Sequence, residues 1–222
     1  MLIESLPVGS REAYDRVRRQ VLKRYVEDDR GFRWGSSQRR IPRFLLNDLT
    51  RYWRTVTVDF VYKQRASDKK WALRNAKLRM SRKLVFAAGL LRVYFCALDD
   101  DAKEARESLC SRQPSVALLL EYMERQLALT PLELVAKACL RNDVKPQTAR
   151  DIFQSYDRFL ALLDDPDKRE ALAKAKPDGD LSASPAWMEV SKISRRFHAA
   201  LLALFLQDDA DLRDLTMEYG IF

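Results

Sequence analysis

The sequence predicts an all-α protein, a multi-helix bundle of about seven to nine helices. Three observations predict it. Apolar residues recur at spacings of three and four along most of the chain. Ser, Thr and Pro stand where helix caps and first turns belong. The chain is also Gly-poor, with 6 Gly in 222 residues.

Taken in order, Ser10 is the N-cap candidate for REAYDRVRRQVLKRYV, and Glu12 places a negative charge in its first turn. Tyr14, Val17, Val21, Leu22 and Tyr25 are the expected core positions. DDRGFRWGSSQRR (28–40) reads as a loop pinned by Phe32 and Trp34. Pro42 opens a second helix from Arg43 to Arg65. Its VTVDFVY stretch is also strand-like, but Leu45, Leu49, Tyr52, Val56 and Phe60 keep helical spacing across it. Ser67 caps a third segment running from Asp68 to Leu98, with a core stripe of Leu73, Ala76, Met80, Leu84, Ala87 and Leu91. Gly89 is the expected place for a kink.

After DDDAKEARESLCSRQ, taken as a connector, a helix starts near Pro114. Thr130-Pro-Leu-Glu133 is a capping box with proline at the first helical position. Pro146 and Pro185 open further helices, PDKREALAKA (166–175) continues helically after the first of them, KPDGDLSASP (176–185) is a loop, and a short acidic helix closes the sequence. A weak boundary is expected at 99–113, separating a basic helical region (1–98) from an acidic helical tail (99–222) that packs on it or continues it.

Composition narrows the function classes. With 47% hydrophobic and 32% charged residues, disorder, collagen-like repeats and disulfide scaffolds are excluded. No apolar run reaches the ~20 residues of a membrane span, so no membrane partner is expected. The opening MLIESLPVGS lacks signal-peptide character. Cys96, Cys110, Cys139 and the lone His198 do not make up a four-ligand zinc site. A cytoplasmic protein with reduced thiols is the expectation.

The net charge of +8 is unevenly spread. Residues 1–98 hold 23 Lys+Arg and 9 Asp+Glu, a net of +14, whereas 99–222 hold 17 and 23, a net of −6. That asymmetry suits a basic face for phosphate or an acidic partner. Solvated surface paired within the molecule accounts for it equally simply.

Catalytic patterns are missing. There is no Gly-rich phosphate loop. His198 lies in an apolar helix, where a packed or surface histidine is the simpler reading. Asp99-Asp100-Asp101 and Asp164-Asp165 read as helix-terminal charge, and Asp59 alone makes no two-metal site. The chain by itself is not expected to catalyse a reaction, and no cofactor is expected in it.

Two segments could bind. In PRFLLNDLTRYWRTVTVDF, Asn47, Arg51 and Arg54 share one side, with Asp48, Thr55 and Asp59 nearby. They form either a polar network holding helices in register or a phosphate contact through the forks of Arg51 and Arg54. In KKWALRNAKLRMSRK, Lys70, Arg74, Lys77 and Ser81 line one stripe. Asn75, Arg79, Arg82 and Lys83 line another, with Trp71, Leu78 and Val85 between. Such stripes suit phosphate binding or a helix lying on another domain with its charged stems extended.

NDLTRYWRTVTVDF and KWALRNAKLRMSRKLVFAAGLL resemble the helical region that follows the catalytic domain in bacterial DNA-polymerase-β-like nucleotidyltransferases. LIESLPVGSREAYDRVRRQVLKRY resembles the link into it, so the likeness covers residues 2–98. The resemblance implies a catalytic domain, own or separate, with a Gly-Ser turn and an Asp-x-Asp pair, working with Mg and a nucleoside triphosphate. Gly9-Ser10 is not that turn, because no Asp-x-Asp pair follows. It further implies that Arg51, Arg54, Arg74, Asn75, Lys77, Arg79 and Arg82 close over phosphates of the nucleotide or of an acceptor such as RNA. Met1 falls where the family is mid-protein, which implies a C-terminal fragment, a truncated expression product or a misplaced start. A stand-alone basic module for nucleic acid or an acidic protein is the alternative, and docking of a neighbouring domain on the basic stripes a third.

Overall fold

In a computed structural model of the chain, residues 4–27, 41–66, 70–109, 115–177 and 179–220 are described. Among them all regular structure is helical and no strand occurs, in helices close in number to those expected. The 28–40 loop with Phe32 and Trp34, the Ser67 cap, Cys110 and the start near Pro114 lie outside the described residues. No helix among the described residues is long and apolar enough to cross a membrane.

Compactness groups the chain differently from charge. One unit takes the chain up to Thr50 with Ala87–Val135, and a second takes Arg51–Phe86 with Ala136–Ile221.

The first unit begins with α1 (Arg11–Glu27), whose first-turn Ala13 N–H donates to Ser10 Oγ at 3.2 Å. Leu22 and Val26 are buried, but Val17 is 56% exposed, against expectation. The buried line runs through Leu22 and Val26, and Val17, five residues before Leu22, points well away from it. The start of α2 (Arg43–Ala66) buries Leu45, Leu46 and Leu49. Ala88, Leu91, Tyr94 and Phe95 of α4 (Lys83–Leu98) complete much of the core.

Arg92 is buried among them because it closes a helix end. Its Nε donates to Gln126 O at 3.2 Å, in the last turn of α6 (Ala117–Ala128), and its Nη2 to the carbonyl of the C-cap residue Leu129 at 2.7 Å. Burial pushes the guanidinium down to about 10. The connector after Asp99 holds a helix that sequence reading missed, α5 (Lys103–Leu109), with Ala105 and Leu109 buried. α7 (Pro131–Cys139) starts at the expected capping box: Thr130 N–H donates to Glu133 Oε2 at 2.6 Å and Glu133 N–H to Thr130 Oγ1 at 3.2 Å. Those bonds hold the Glu133 carboxyl below its usual range.

The second unit contains α3 (Trp71–Lys77), which continues through a π turn at Leu78–Arg82 into α4. The irregularity therefore falls there, and Gly89 sits inside uninterrupted helix. VTVDFVY is helical, within α2. α8 (Pro146–Asp164) and α10 (Pro185–Ala203) lie along one another with Phe159 and Phe197 buried. α9 (Pro166–Lys174) packs on α3, and a second π turn, Leu204–Asp208, leads to α11 (Ala210–Tyr219). Asp165, Ser184 and Asp209 cap α9, α10 and α11 by accepting from the N–H groups of Lys168, Trp187 and Leu212.

Candidate functional site

The polar set on α2 is not a buried network. Asn47, Arg51, Arg54, Thr55 and Asp59 are exposed. Asp59 pairs with Lys63 one turn on at 2.7 Å, and the hydroxyls of Thr55 and Thr57 donate to the carbonyls of Arg51 and Arg54. Asp48 is half-buried and accepts from the Tyr25 hydroxyl at 2.6 Å. Burial and this carboxylate push Tyr25 up to about 12.

On α3 and the π turn, Arg74, Asn75 and Arg79 are half-buried, while Lys77 and Arg82 are exposed. Trp71, expected between the basic stripes, is a core residue, 8% exposed and against Trp187 with ring centroids 5.0 Å apart. Ser81 meets the Tyr156 hydroxyl at 3.5 Å, and Arg82 Nη1 donates to the Tyr52 hydroxyl at 3.4 Å.

Of the seven expected phosphate-contacting residues, Arg79 lines a cleft of about 530 Å³ with partners from elsewhere in the sequence. Arg79 and Lys83 bracket the end of the π turn. Opposite them, α10 presents Met188, Ser191, Ser194, Arg195 and His198. Met188, Ser191, Arg195 and His198 follow one another at three, four and three residues, which is one face of a helix. The π turn matters because its wider winding shifts the phase of the side chains after it relative to a regular α-helix. Arg51, Arg54, Arg74, Asn75, Lys77 and Arg82 are not among the residues that line this cleft.

Within the cleft the Arg79 guanidinium lies over the Trp187 ring, 5.5 Å from its centroid. Lys83 Nζ and His198 Nδ1 are 3.3 Å apart. Arg195 Nε and Ser194 Oγ both donate to the Ser191 carbonyl, at 3.2 and 3.3 Å. Burial, then the charge of Arg79, lowers the pKa of Lys83; burial, then Lys83, lowers that of His198.

Nearby carboxylates are engaged elsewhere: Asp151 takes Arg196 at 2.5 Å, and Glu189 takes Lys168 at 2.8 Å. Among the described residues no carboxylate pairs with Arg79, Lys83, Arg195 or His198. Like charges gathered in a concave surface without a paired carboxylate raise the local positive potential, which is the electrostatic condition for attracting an anion. No three His, Cys, Asp or Glu among the described residues converge as metal ligands.

Sequence reading placed Lys83 in a basic stripe and missed the α10 wall. The signal was present as Ser191, Ser194, Arg195 and His198 at helical spacing on one face of α10. Comparison with protein-family models, with curated proteins and with solved structures found no match to this chain.

Proposed function

We propose that the chain is a helical module that contacts the phosphates of a nucleotide or nucleic acid. In this reading it serves as the substrate-contacting region of a nucleotidyltransferase whose carboxylates and Mg belong to another domain. The observation that carries the phosphate part is the cleft: Arg79, Lys83 and Arg195 converge with no carboxylate paired to them among the described residues. The net +14 of residues 1–98 and the resemblance of residues 2–98 support the rest. Arg51, Arg54, Arg74, Asn75, Lys77 and Arg82 then surround the cleft ligand's chain or acceptor.

A second reading, the stand-alone binding module, is favoured by one fact: both walls of the cleft come from a single compact unit of this chain. Two measurements decide. Fluorescence anisotropy of the full chain with labelled ATP and a short labelled RNA should show binding that weakens about twentyfold between about 50 and 200 mM salt, as three phosphate contacts require. Absence of binding, or salt-insensitive binding, overturns the phosphate reading. Immunoblotting of the source cells then separates the two forms of it. A band well above 25.9 kDa indicates an attached catalytic domain, and one at 25.9 kDa the stand-alone module.

A further inference from the structure

We infer that the cleft between the Arg79–Lys83 turn and α10 is a site for a terminal phosphate, the doubly charged end of a nucleotide, an oligophosphate or a phosphorylated nucleic-acid strand, and not for a diester backbone. The inference rests on the phosphate-contacting reading above and narrows its ligand. A diester brings one charge per nucleotide and must leave the site at both ends with its sugars. A terminal phosphate brings up to two charges and three acceptor oxygens to one point.

The cleft is built for the second case. Three cationic side chains, Arg79, Lys83 and Arg195, line one space of about 530 Å³ together with the imidazole of His198. The donors are held in place. Arg79 is stacked on Trp187, and Arg195 commits its Nε to the Ser191 carbonyl, which leaves its terminal nitrogens to donate. Lys83 Nζ stands 3.3 Å from His198 Nδ1, so one anion lying against both touches two bases at once. The hydroxyl of Ser191 adds a neutral donor on the same wall.

The electrostatics agree with this geometry. Lys83 and His198 are both held below their ordinary values by burial and by neighbouring cations. Each gains on the arrival of a compact anion, since an opposite charge favours the protonated form. The same groups along an extended strand would be served one phosphate at a time, with less gain per site.

The test uses the full chain at near-physiological salt and four probes: tripolyphosphate, ADP, and one short RNA with and without a 5′-phosphate. Tripolyphosphate should bind, and removing the 5′-phosphate should weaken the RNA about tenfold, the worth of one charge-assisted contact. Preference for ADP over phosphorylated RNA assigns the site to free nucleotides, and the reverse assigns it to strand ends. Either supports the inference. Arg195→Ala, at an exposed position, should weaken tripolyphosphate about tenfold while leaving the circular dichroism unchanged. Lys83→Met should do the same from the opposite wall.

RNA that binds equally with and without its 5′-phosphate, and that tripolyphosphate does not displace, overturns the inference and leaves the phosphate-contacting reading intact. Failure of every probe to bind overturns both.

Discussion

His198 and Lys83 meet at 3.3 Å with Arg79 and Arg195 lining the same cleft, so a proton on the imidazole adds to a crowd of positive charge. Burial and then Lys83 lower the His198 pKa from 6.5. The unfolded chain therefore holds more protons than the folded one as pH falls through this range, and stability declines as pH drops below about 6.5. His198→Asn should remove that slope. Saturating tripolyphosphate should reverse it in the native protein, because the anion favours the imidazolium. Thermal unfolding between about pH 7.5 and 5 reads both effects; an unchanged slope in the variant refutes the assignment. His198 also marks a limit of the sequence. Its lone occurrence in an apolar helix argued for a bland role, and only the fold shows which residues face it.

Helix boundaries were legible wherever a cap is a local affair. Thr130 and Glu133 bond each other across three residues, and proline at 146 and 185 starts a helix each time, whereas the fresh start at Pro166, capped by Asp165, reads in the sequence as a continuation. The helix at Lys103–Leu109 was not legible, since DDDAKEARES presents mainly charge. Its burial depends on Ala105 and Leu109, and Arg106 Nη1 donates to the carbonyls of Cys96 and Asp99 at 3.3 and 2.8 Å. The two π turns carry no mark in the apolar spacing. At the second, Asp209 is the residue on which the element depends. It is 2% exposed, accepts from Leu212 N–H at 2.9 Å as the cap of α11, and pairs with Arg141, which also reaches Asp211 at 3.1 Å. Asp209→Ala leaves the half-buried guanidinium with Asp211 alone and uncaps the helix, at a cost of about 2–4 kcal/mol. Asp209→Asn keeps the cap and should cost less. Urea unfolding of both variants checks the order, and equal losses would mean that the cap contributes nothing.

At the scale of the whole molecule, charge and packing divide the chain differently, and only the first division can be counted from the sequence. Residues 1–98 carry the net +14, yet each compact unit draws on both sides of position 98. Within the first unit, Arg92 on α4 bonds the carbonyls of Gln126 and Leu129, Tyr122 donates to Asp99 at 2.7 Å, and Arg19 on α1 reaches Glu124 at 2.6 Å. Within the second, Trp71 rests on Trp187, and the cleft needs Arg79 and Lys83 as much as Arg195 and His198. Long-range pairing of this kind leaves no trace in periodicity, because each helix shows its apolar face whichever partner covers it. A cut between residues 98 and 99 therefore uncovers Leu91, Tyr94 and Phe95 on one fragment and Tyr122 and Trp187 on the other. Neither fragment should melt cooperatively, since a small unit that loses half its core falls below the margin of a few kcal/mol that holds native proteins together. Co-expressed, the two fragments should associate and recover both a single thermal transition and tripolyphosphate binding. A sharp two-state transition in isolated 1–98, followed by circular dichroism, would show instead that the basic half is a domain in its own right, and would make the charge boundary the structural one.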